Sequence, residues 1–282
     1  METKDQKQVK KTKKTGGVSA AWVILGCAVV AFAFFFIVCG AGSEGFFGSL
    51  LGTTNFDAKG HPINGNLFGT LYQGGFVIPI VMTLLLTVIA LSVERAFALN
   101  KAKGKGNLLK FVEGVNEKIN TDDLAGAREI CGVQKGSVAN ILTAALLRYE
   151  DIDGQELSND EKAELVGKEI ESATTLELPA MEQNMAIIAA ISTLGTLMGL
   201  FGTVLGMIRS FGAMGQEGSP DSTALAIGIS EALLNTALGI GTGALAIISY
   251  TYFSGKIQNM TNAVDEISFA IGQTFTKRAL KK

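Results

Sequence analysis

A single carboxylic acid and a few hydroxyl groups lie within two otherwise apolar stretches in the C-terminal half of the sequence. Thr203 belongs to the first stretch, and Glu231 and Thr236 belong to the second. An acid in the middle of a membrane costs about 2.5–3.5 kcal/mol, so it usually faces a bundle interior or water and often marks an ion path. A hydroxyl can bond to its own helix and is weaker evidence alone. Glu231 therefore indicates an ion path or a subunit contact, with a hydrogen-bonded structural acid as the alternative.

Two long apolar segments, residues 183–209 and 223–253, carry these polar side chains. The first has no charged residue between Glu182 and Arg209, and its length of about 26 residues is enough to cross roughly 30 Å of hydrocarbon. The second is apolar on both sides of Glu231. We therefore expect a membrane hairpin that contains a buried acid.

Glycines repeat at helical spacings on both segments, so those of each segment share one helix face. They are Gly195, Gly199, Gly202 and Gly206 on the first segment, and Gly239 and Gly243 on the second. In lipid, such small residues let another helix approach closely, because packing rather than water exclusion drives association there. Plain tight packing with no further role remains open as an interpretation of the glycines alone.

Two sequence motifs follow one another across the polar turn of this hairpin. They are GLFGTVLGMIRSF (Gly199–Phe211) and ISEALLNTALGI (Ile229–Ile240). Together they resemble the signature of the ExbB/TolQ/MotA proton-channel family, and their spelling is closest to that of ExbB and TolQ. The chain departs from the family pattern at Thr196 and Ile227, where members often carry proline.

The resemblance implies specific roles and partners. Thr203 and Thr236 would be pore-facing hydroxyls beside a partner's membrane aspartate, and Glu231 would be the family's membrane glutamate. The implied partner is an ExbD/TolR-like single-span protein, with this chain forming a homopentamer around a dimer of it. A TonB-like protein is a further implied partner.

Two more apolar segments bring the expected number of transmembrane helices to four, and basic clusters set their orientation by the positive-inside rule. We expect a multi-pass protein of the bacterial inner membrane with both termini in the cytoplasm. The apolar core from Ala21 to Val38 is longer than a usual signal-peptide core, which favours a retained first span over a cleaved one. In chain order the prediction is a basic cytoplasmic tail (1–17), transmembrane helix 1 (18–42), a periplasmic loop (43–75), transmembrane helix 2 (76–93), a cytoplasmic helical region (94–182), transmembrane helix 3 (183–209), a periplasmic turn (210–222), transmembrane helix 4 (223–253) and a cytoplasmic C-terminal helix (254–282).

The cytoplasmic region reads as short amphipathic helices, since apolar residues recur at three- and four-residue spacings. Ser158 and Glu161 form a capping-box signature that predicts a helix beginning near Asn159. This helix is expected to bend at Pro179 and to lead into the third span. The acids near Asp123 have no histidine or cysteine at metal-ligand spacing and are interpreted as a solvated face.

Composition agrees with an all-α membrane protein, since 48% of the 282 residues are hydrophobic and only four are proline. Three cysteines, Cys27, Cys39 and Cys131, are an odd number that argues against a disulfide framework. The sequence contains no metal-ligand cluster, phosphate-binding loop or nucleophile–base pair. We therefore expect neither an enzyme nor a bound metal or cofactor, and no nucleic-acid partner for the basic tail.

The apolar segments contain no string of ionisable groups that could carry a proton across alone. We therefore expect a motor subunit, driven by the proton gradient, whose proton-carrying aspartate comes from a partner helix. The resemblance implies an ExbB-like role in TonB-dependent outer-membrane transport. A TolQ-like envelope motor or a MotA-like stator is the first alternative, and a non-conducting membrane scaffold is the second.

Overall fold

A computed structural model describes residues 19–39, 67–121, 123–214 and 222–280, and every regular element within them is helical. The helices in chain order are α1 (Ala20–Phe34, continued by a π-helical turn at Phe35–Cys39), α2 (Leu67–Gln73), α3 (Val77–Lys103), α4 (Leu108–Asn120), α5 (Leu124–Gln134), α6 (Ser137–Asp153), α7 (Asn159–Glu182), α8 (Met185–Met214) and α9 (Ser222–Leu280).

Four helical stretches of this described part are long and apolar enough to cross a membrane. They are Ala20–Cys39, Val77–Asn120, Asn159–Gly212 and Leu225–Thr274. The predicted all-α membrane fold with four transmembrane helices is thereby confirmed. Helix α9 contains 59 residues, roughly 90 Å at 1.5 Å per residue, which is about three times the thickness of the hydrocarbon core.

Several predicted segments fall partly or wholly outside the described residues. Outside lie the basic tail (1–17), residues 18 and 40–42 of predicted transmembrane helix 1, residues 43–66 of the predicted periplasmic loop, residue 122, residues 215–221 of the predicted turn, and residues 281–282. The described end of that loop differs from the prediction, because it forms the short helix α2 and a turn at Gly74 and Gly75. No break separates predicted transmembrane helix 4 from the predicted C-terminal helix, since both belong to α9.

The chain divides into two compact units, which we call the apolar unit and the polar unit. The apolar unit comprises Val18–Val93 and Asn184–Thr251. Its centre contains Val88 and Leu91 of α3 against Ile188 of α8, all at 0% exposure, together with Ala246 of α9. This core brings α3, α8 and α9 side by side, and it therefore fixes the hairpin on which the polar side chains lie.

The polar unit comprises Glu94–Gln183 and Tyr252–Lys282 together with the undescribed tail. Its helices bury one apolar face each, as the three- and four-residue spacing predicts. The most deeply buried side chains include Val115 and Ile119 of α4, Leu142 and Tyr149 of α6, and Val166 of α7, at 1% exposure or less.

The start of α7 confirms the predicted capping box. Ser158 accepts a hydrogen bond from the backbone N–H of Glu161, and the Glu161 side chain accepts one from the N–H of Ser158. The helix then continues through Pro179 to Glu182. The chain leaves the helical conformation at Gln183 (ψ 136°) and Asn184 (φ 64°), so the break before the third span lies after the position expected from proline.

Candidate functional site

The hydroxyl groups of Thr203 and Thr236 form a hydrogen bond with each other across the two helices of the hairpin. Thr203 Oγ1 also lies 3.3 Å from the carbonyl oxygen of Gly199, and Thr236 Oγ1 lies 3.2 Å from that of Ala232. Both side chains are half-buried. A hydroxyl can donate one hydrogen bond and accept others. Either threonine can therefore replace one of these hydrogen bonds with a bond to a group that approaches from outside the chain.

Close approach of α8 and α9 is what brings the two threonines together. A Cβ atom on Gly199 would lie 2.9 Å from the Cα atom of Gly239, and one on Gly195 would lie 3.1 Å from the backbone nitrogen of Gly243. Contacts this short are available only to glycine, since any larger residue would push the helices apart. The predicted glycines on α8 and α9 thus lie between these two helices of the same chain.

The remaining glycines of the α8 stripe continue this contact. A Cβ atom on Gly202 would lie 2.5 Å from the Cβ atom of Asn235, and one on Gly206 would lie 2.9 Å from that of Ala232. All glycines of the stripe are buried. The register is antiparallel, because each step forward on α8 meets a matching step backward on α9.

Glu231 is buried at 6% exposure and forms an ion pair with Arg209. Its Oε1 atom lies 2.5 Å from Nη1 of the arginine, whose side chain is 56% exposed. Sequence reasoning identified Glu231 as the one acid of the hairpin but treated Arg209 only as the end of a span. The structure therefore adds a charged partner that the motif did not indicate.

The turn between α2 and α3 packs against this ion pair. Gly75 has φ +70°, and a Cβ atom there would lie 2.6 Å from Glu231 Oε1 and 2.9 Å from Arg209 Nη1. The side chain of Asn235 donates a hydrogen bond of 3.1 Å to the carbonyl oxygen of Gly74. Asn235 itself is fully buried, and its Oδ1 atom has no hydrogen-bond partner among the described residues.

Two further threonines of the hairpin bond to their own helices. Thr196 is exposed and donates to the carbonyl oxygen of Ser192 at 3.3 Å. Thr242 is buried and donates to that of Leu238 at 2.8 Å. The site therefore contains one hydroxyl pair that links α8 to α9 and one ion pair that does the same, whereas Thr196 and Thr242 satisfy their hydroxyls locally.

Comparison with known proteins shows which family this part of the chain is similar to. Residues 134–266 match the MotA/TolQ/ExbB proton channel family. The chain is 24% identical over 206 residues to a putative biopolymer transport protein ExbB homolog of Methanothermobacter thermautotrophicus, covering 72% of this chain and 69% of the relative.

Two other relatives are similar over shorter regions. A putative biopolymer transport protein ExbB-like 3 of Synechocystis is 40% identical over 73 residues, which are 25% of this chain and 35% of the relative. The Tol-Pal system protein TolQ of Pseudomonas aeruginosa is 31% identical over 97 residues, which are 34% of this chain and 42% of the relative. The match thus spans less than half the length of each of these two relatives.

Proposed function

We propose that the chain, whose residues 134–266 match the MotA/TolQ/ExbB proton channel family, is a subunit of a proton-driven motor in the bacterial inner membrane. Its work would be mechanical rather than enzymatic, driven by the proton gradient without a bound cofactor. Both termini and the polar unit would lie in the cytoplasm, where the basic clusters favour them.

The observation that carries this proposal is the half-buried hydroxyl pair of Thr203 and Thr236. Neither hydroxyl can hold an extra proton by itself near neutral pH, but both can donate to or accept from a carboxyl group that approaches them. Glu231, the acid of the hairpin, already pairs with Arg209. The group that takes up and releases the proton is therefore best supplied by a partner helix.

We propose that this partner is an ExbD/TolR-like single-span protein whose membrane aspartate lies beside Thr203 and Thr236. Each proton that moves down the membrane potential releases about 2.3 kcal/mol per 100 mV. When the aspartate gains or loses its proton, its hydrogen bonds to the two hydroxyls change. That change would move one component of the assembly relative to the other.

We further propose that several copies of this chain, as a pentamer, surround the partner helices. Apolar side chains of α8 that are half exposed or more support an assembly in lipid, and they include Leu197, Leu200, Phe201, Val204 and Ile208. Residues of this kind need lipid or another helix as a neighbour. We propose a role in TonB-dependent outer-membrane transport, with a TonB-like protein as a further partner; the relatives named biopolymer transport protein ExbB support the transport part of this proposal.

A TolQ-like envelope motor is the second candidate function. It is favoured by the similarity to the Tol-Pal system protein TolQ, which includes 31% identity over 97 residues. Deletion of the gene would separate the two roles. Loss of uptake through outer-membrane transporters supports the first, and defective envelope constriction at division supports the second.

The proposal is tested by purifying the full chain with its single-span partner and reconstituting the complex into liposomes that contain a pH-sensitive dye. An imposed membrane potential should acidify the lumen. The double substitution Thr203→Val and Thr236→Val removes both hydroxyls while keeping side-chain shape, so it should abolish acidification without preventing assembly. Thr242→Val is the matched control, because that hydroxyl bonds only to its own helix in the structure.

Acidification by the double variant at the rate of the unsubstituted complex would refute the role of the hydroxyl pair. If the lumen is never acidified, whether the chain is reconstituted alone or with its single-span partner, the result would instead favour a non-conducting scaffold.

A further inference from the structure

The members of the Arg209–Glu231 ion pair differ sharply in burial. Glu231 is 6% exposed and Arg209 is 56% exposed. Loss of each partner should therefore have a different consequence. Without Arg209, the carboxylate would be a buried charge with no partner, which destabilises a fold strongly. Without Glu231, the guanidinium would remain exposed at the surface of the chain but would become an unneutralised positive charge.

The surroundings hold the pair in place. The backbone at Gly75 approaches both charged groups, since a Cβ atom there would lie within 2.9 Å of Arg209 Nη1 and closer still to Glu231 Oε1. One helix turn further along α9, Asn235 donates to the carbonyl oxygen of the neighbouring Gly74. The two charges are thus positioned by two helices and a turn, because α8 and α9 supply the side chains and the turn before α3 packs over them.

The pair lies close to the hydroxyl pair along both helices. Arg209 follows Thr203 by six residues on α8, and Glu231 precedes Thr236 by five on α9, so the offset is about 8–9 Å along the helix axes. This is about one Debye length at physiological salt (about 8 Å), and screening is weaker beside a low-dielectric interior than in bulk water. A net positive charge at Arg209 would therefore repel a cation on its way to the hydroxyls.

Resting on the proposed function, we propose that Glu231 serves the proton path as the counter-charge of Arg209 and not as a group that takes up the proton. Arg209 is then a positioning residue that holds the Glu231 carboxylate, and the path requires that the two together be neutral. A carboxyl group is not itself required at residue 231. This assigns a role to Arg209, which the family motif leaves open.

The experiment compares Glu231→Gln, Arg209→Gln and the double variant in the full chain, co-purified with its single-span partner and reconstituted into dye-loaded liposomes. Glu231→Gln should lower proton flux roughly 20- to 30-fold, because one unneutralised charge at this distance acts through an effective dielectric constant near 20. Its melting temperature should change little. Arg209→Gln should lower the melting temperature by roughly 5–15 °C, because it leaves a buried charge.

The double variant decides the matter, since it removes both charges and leaves no uncompensated group. Its melting temperature should return to that of the unsubstituted complex, and its proton flux should lie within about threefold of the unsubstituted value, given the coupling that double-mutant cycles typically show. Arg209→Lys, which keeps the charge, should retain more flux and more stability than Arg209→Gln. Glu164→Gln is the matched control for loss of an acid, because Glu164 pairs with Lys168 on an exposed helix face.

A double variant that remains as inactive as Glu231→Gln would overturn the proposal, since the carboxyl group itself would then be needed. A double variant that fails to assemble would contradict it equally. If the unsubstituted complex shows no flux above that of the Thr203→Val, Thr236→Val variant, the proposed function fails instead. The two failures are therefore distinguishable.

Discussion

The guanidinium of Arg95 donates a hydrogen bond of 3.3 Å to the backbone carbonyl oxygen of Met181, although the two residues lie far apart in the sequence. The same Nη1 atom donates to the carbonyl oxygen of Ala180 at 3.3 Å, and Glu94 accepts from the other two nitrogens at 2.5 and 2.7 Å. Carbonyl groups in the last turn of a helix have no partner within the helix. Arg95 thus caps the end of α7 from the polar part of α3.

Replacement of this arginine should be among the most destabilising single changes in the polar unit. The Arg95 side chain is 1% exposed, so Arg95→Met removes a buried guanidinium and its hydrogen bonds to Glu94 and to two carbonyl groups, at a cost of about 3–5 kcal/mol. The control is Arg148→Met, whose exposed pair with Asp151 contributes no more than about 1 kcal/mol. Urea denaturation of the solubilised chain should show a clearly lower midpoint for Arg95→Met alone. Equal midpoints would argue against the cap.

The contact between α8 and α9 predicts a sharp difference between two glycine-to-alanine substitutions. Gly199→Ala places a methyl group 2.9 Å from the Cα atom of Gly239 and 3.0 Å from the carbonyl oxygen of Asn235. These are backbone atoms, so the helices must separate, at a cost of about 1–3 kcal/mol. Gly241→Ala is the control, because nothing lies within 4 Å of its added methyl group, and it should be neutral or stabilise the helix by up to about 1 kcal/mol.

The melting temperature of the solubilised chain measures both substitutions. Gly199→Ala should melt lower than the unsubstituted protein, and Gly241→Ala should not. Because the threonine pair lies on the same contact, Gly199→Ala should also reduce proton flux in the reconstituted complex. If Gly199→Ala and Gly241→Ala have the same melting temperature, close packing at the glycines does not hold the two helices together.

Much of the hairpin follows from local sequence patterns. Glycines and threonines recur at helical spacings, and these spacings depend only on the geometry of one helix. The capping box at Ser158 is equally local, since its two partners lie three residues apart. Local patterns are informative at these positions because neighbours along the chain determine the structure there.

The residues that sequence reasoning missed depend on contacts between distant segments. The glycine register carried a usable signal for one of them: Gly199 lies opposite Gly239 and Gly206 lies near Ala232. Extending that antiparallel register brings Arg209 close to the turn of α9 that contains Glu231. No such register links Arg95 to α7 or Gly75 to Glu231. In the sequence Arg95 is one of several basic residues that follow the second apolar span, whereas in the structure its charge is buried.

The N-terminal end of α5 predicts a pH-dependent contribution to stability. Asp123 accepts hydrogen bonds from Lys118 at 2.7 Å and from the backbone N–H of Gly126 at 2.9 Å. Both bonds lower the pKa of the Asp123 carboxyl group, and the bond from Lys118 has the larger effect. In return, the carboxylate raises the pKa of Lys118. An acid with a lowered pKa stabilises the fold above its unfolded value of about 3.9, and this contribution is lost as pH falls through the lower folded value.

Asp123→Asn tests this contribution, because asparagine keeps the capping oxygen but loses the charge. The unsubstituted chain should melt above this variant near neutral pH, and the two melting temperatures should converge as pH falls through the lowered folded pKa of the aspartate, where the carboxylate takes up its proton. The two melting temperatures should also converge at alkaline pH, where Lys118 loses its proton. Because the pKa of Lys118 is raised, this convergence should occur above the ordinary pKa of a lysine. A difference that stays constant across the whole range would exclude the charge as its cause.

Cys131 on α5 predicts a protected thiol that reports on unfolding of the polar unit. The residue is 2% exposed, and burial raises the pKa of its thiol to about 11. Because the thiolate is the nucleophile, a maleimide reagent at neutral pH should not modify Cys131 in the folded chain and should modify it once urea unfolds the unit. The control combines Cys131→Ala with Gly132→Cys, since nothing lies within 4 Å of the position where Gly132 would carry a Cβ atom. Under native conditions, peptide mass analysis should show rapid labelling at residue 132 in the control and none at Cys131 in the unsubstituted chain. Similar labelling rates at the two sites would mean that α5 does not hold its thiol in the core.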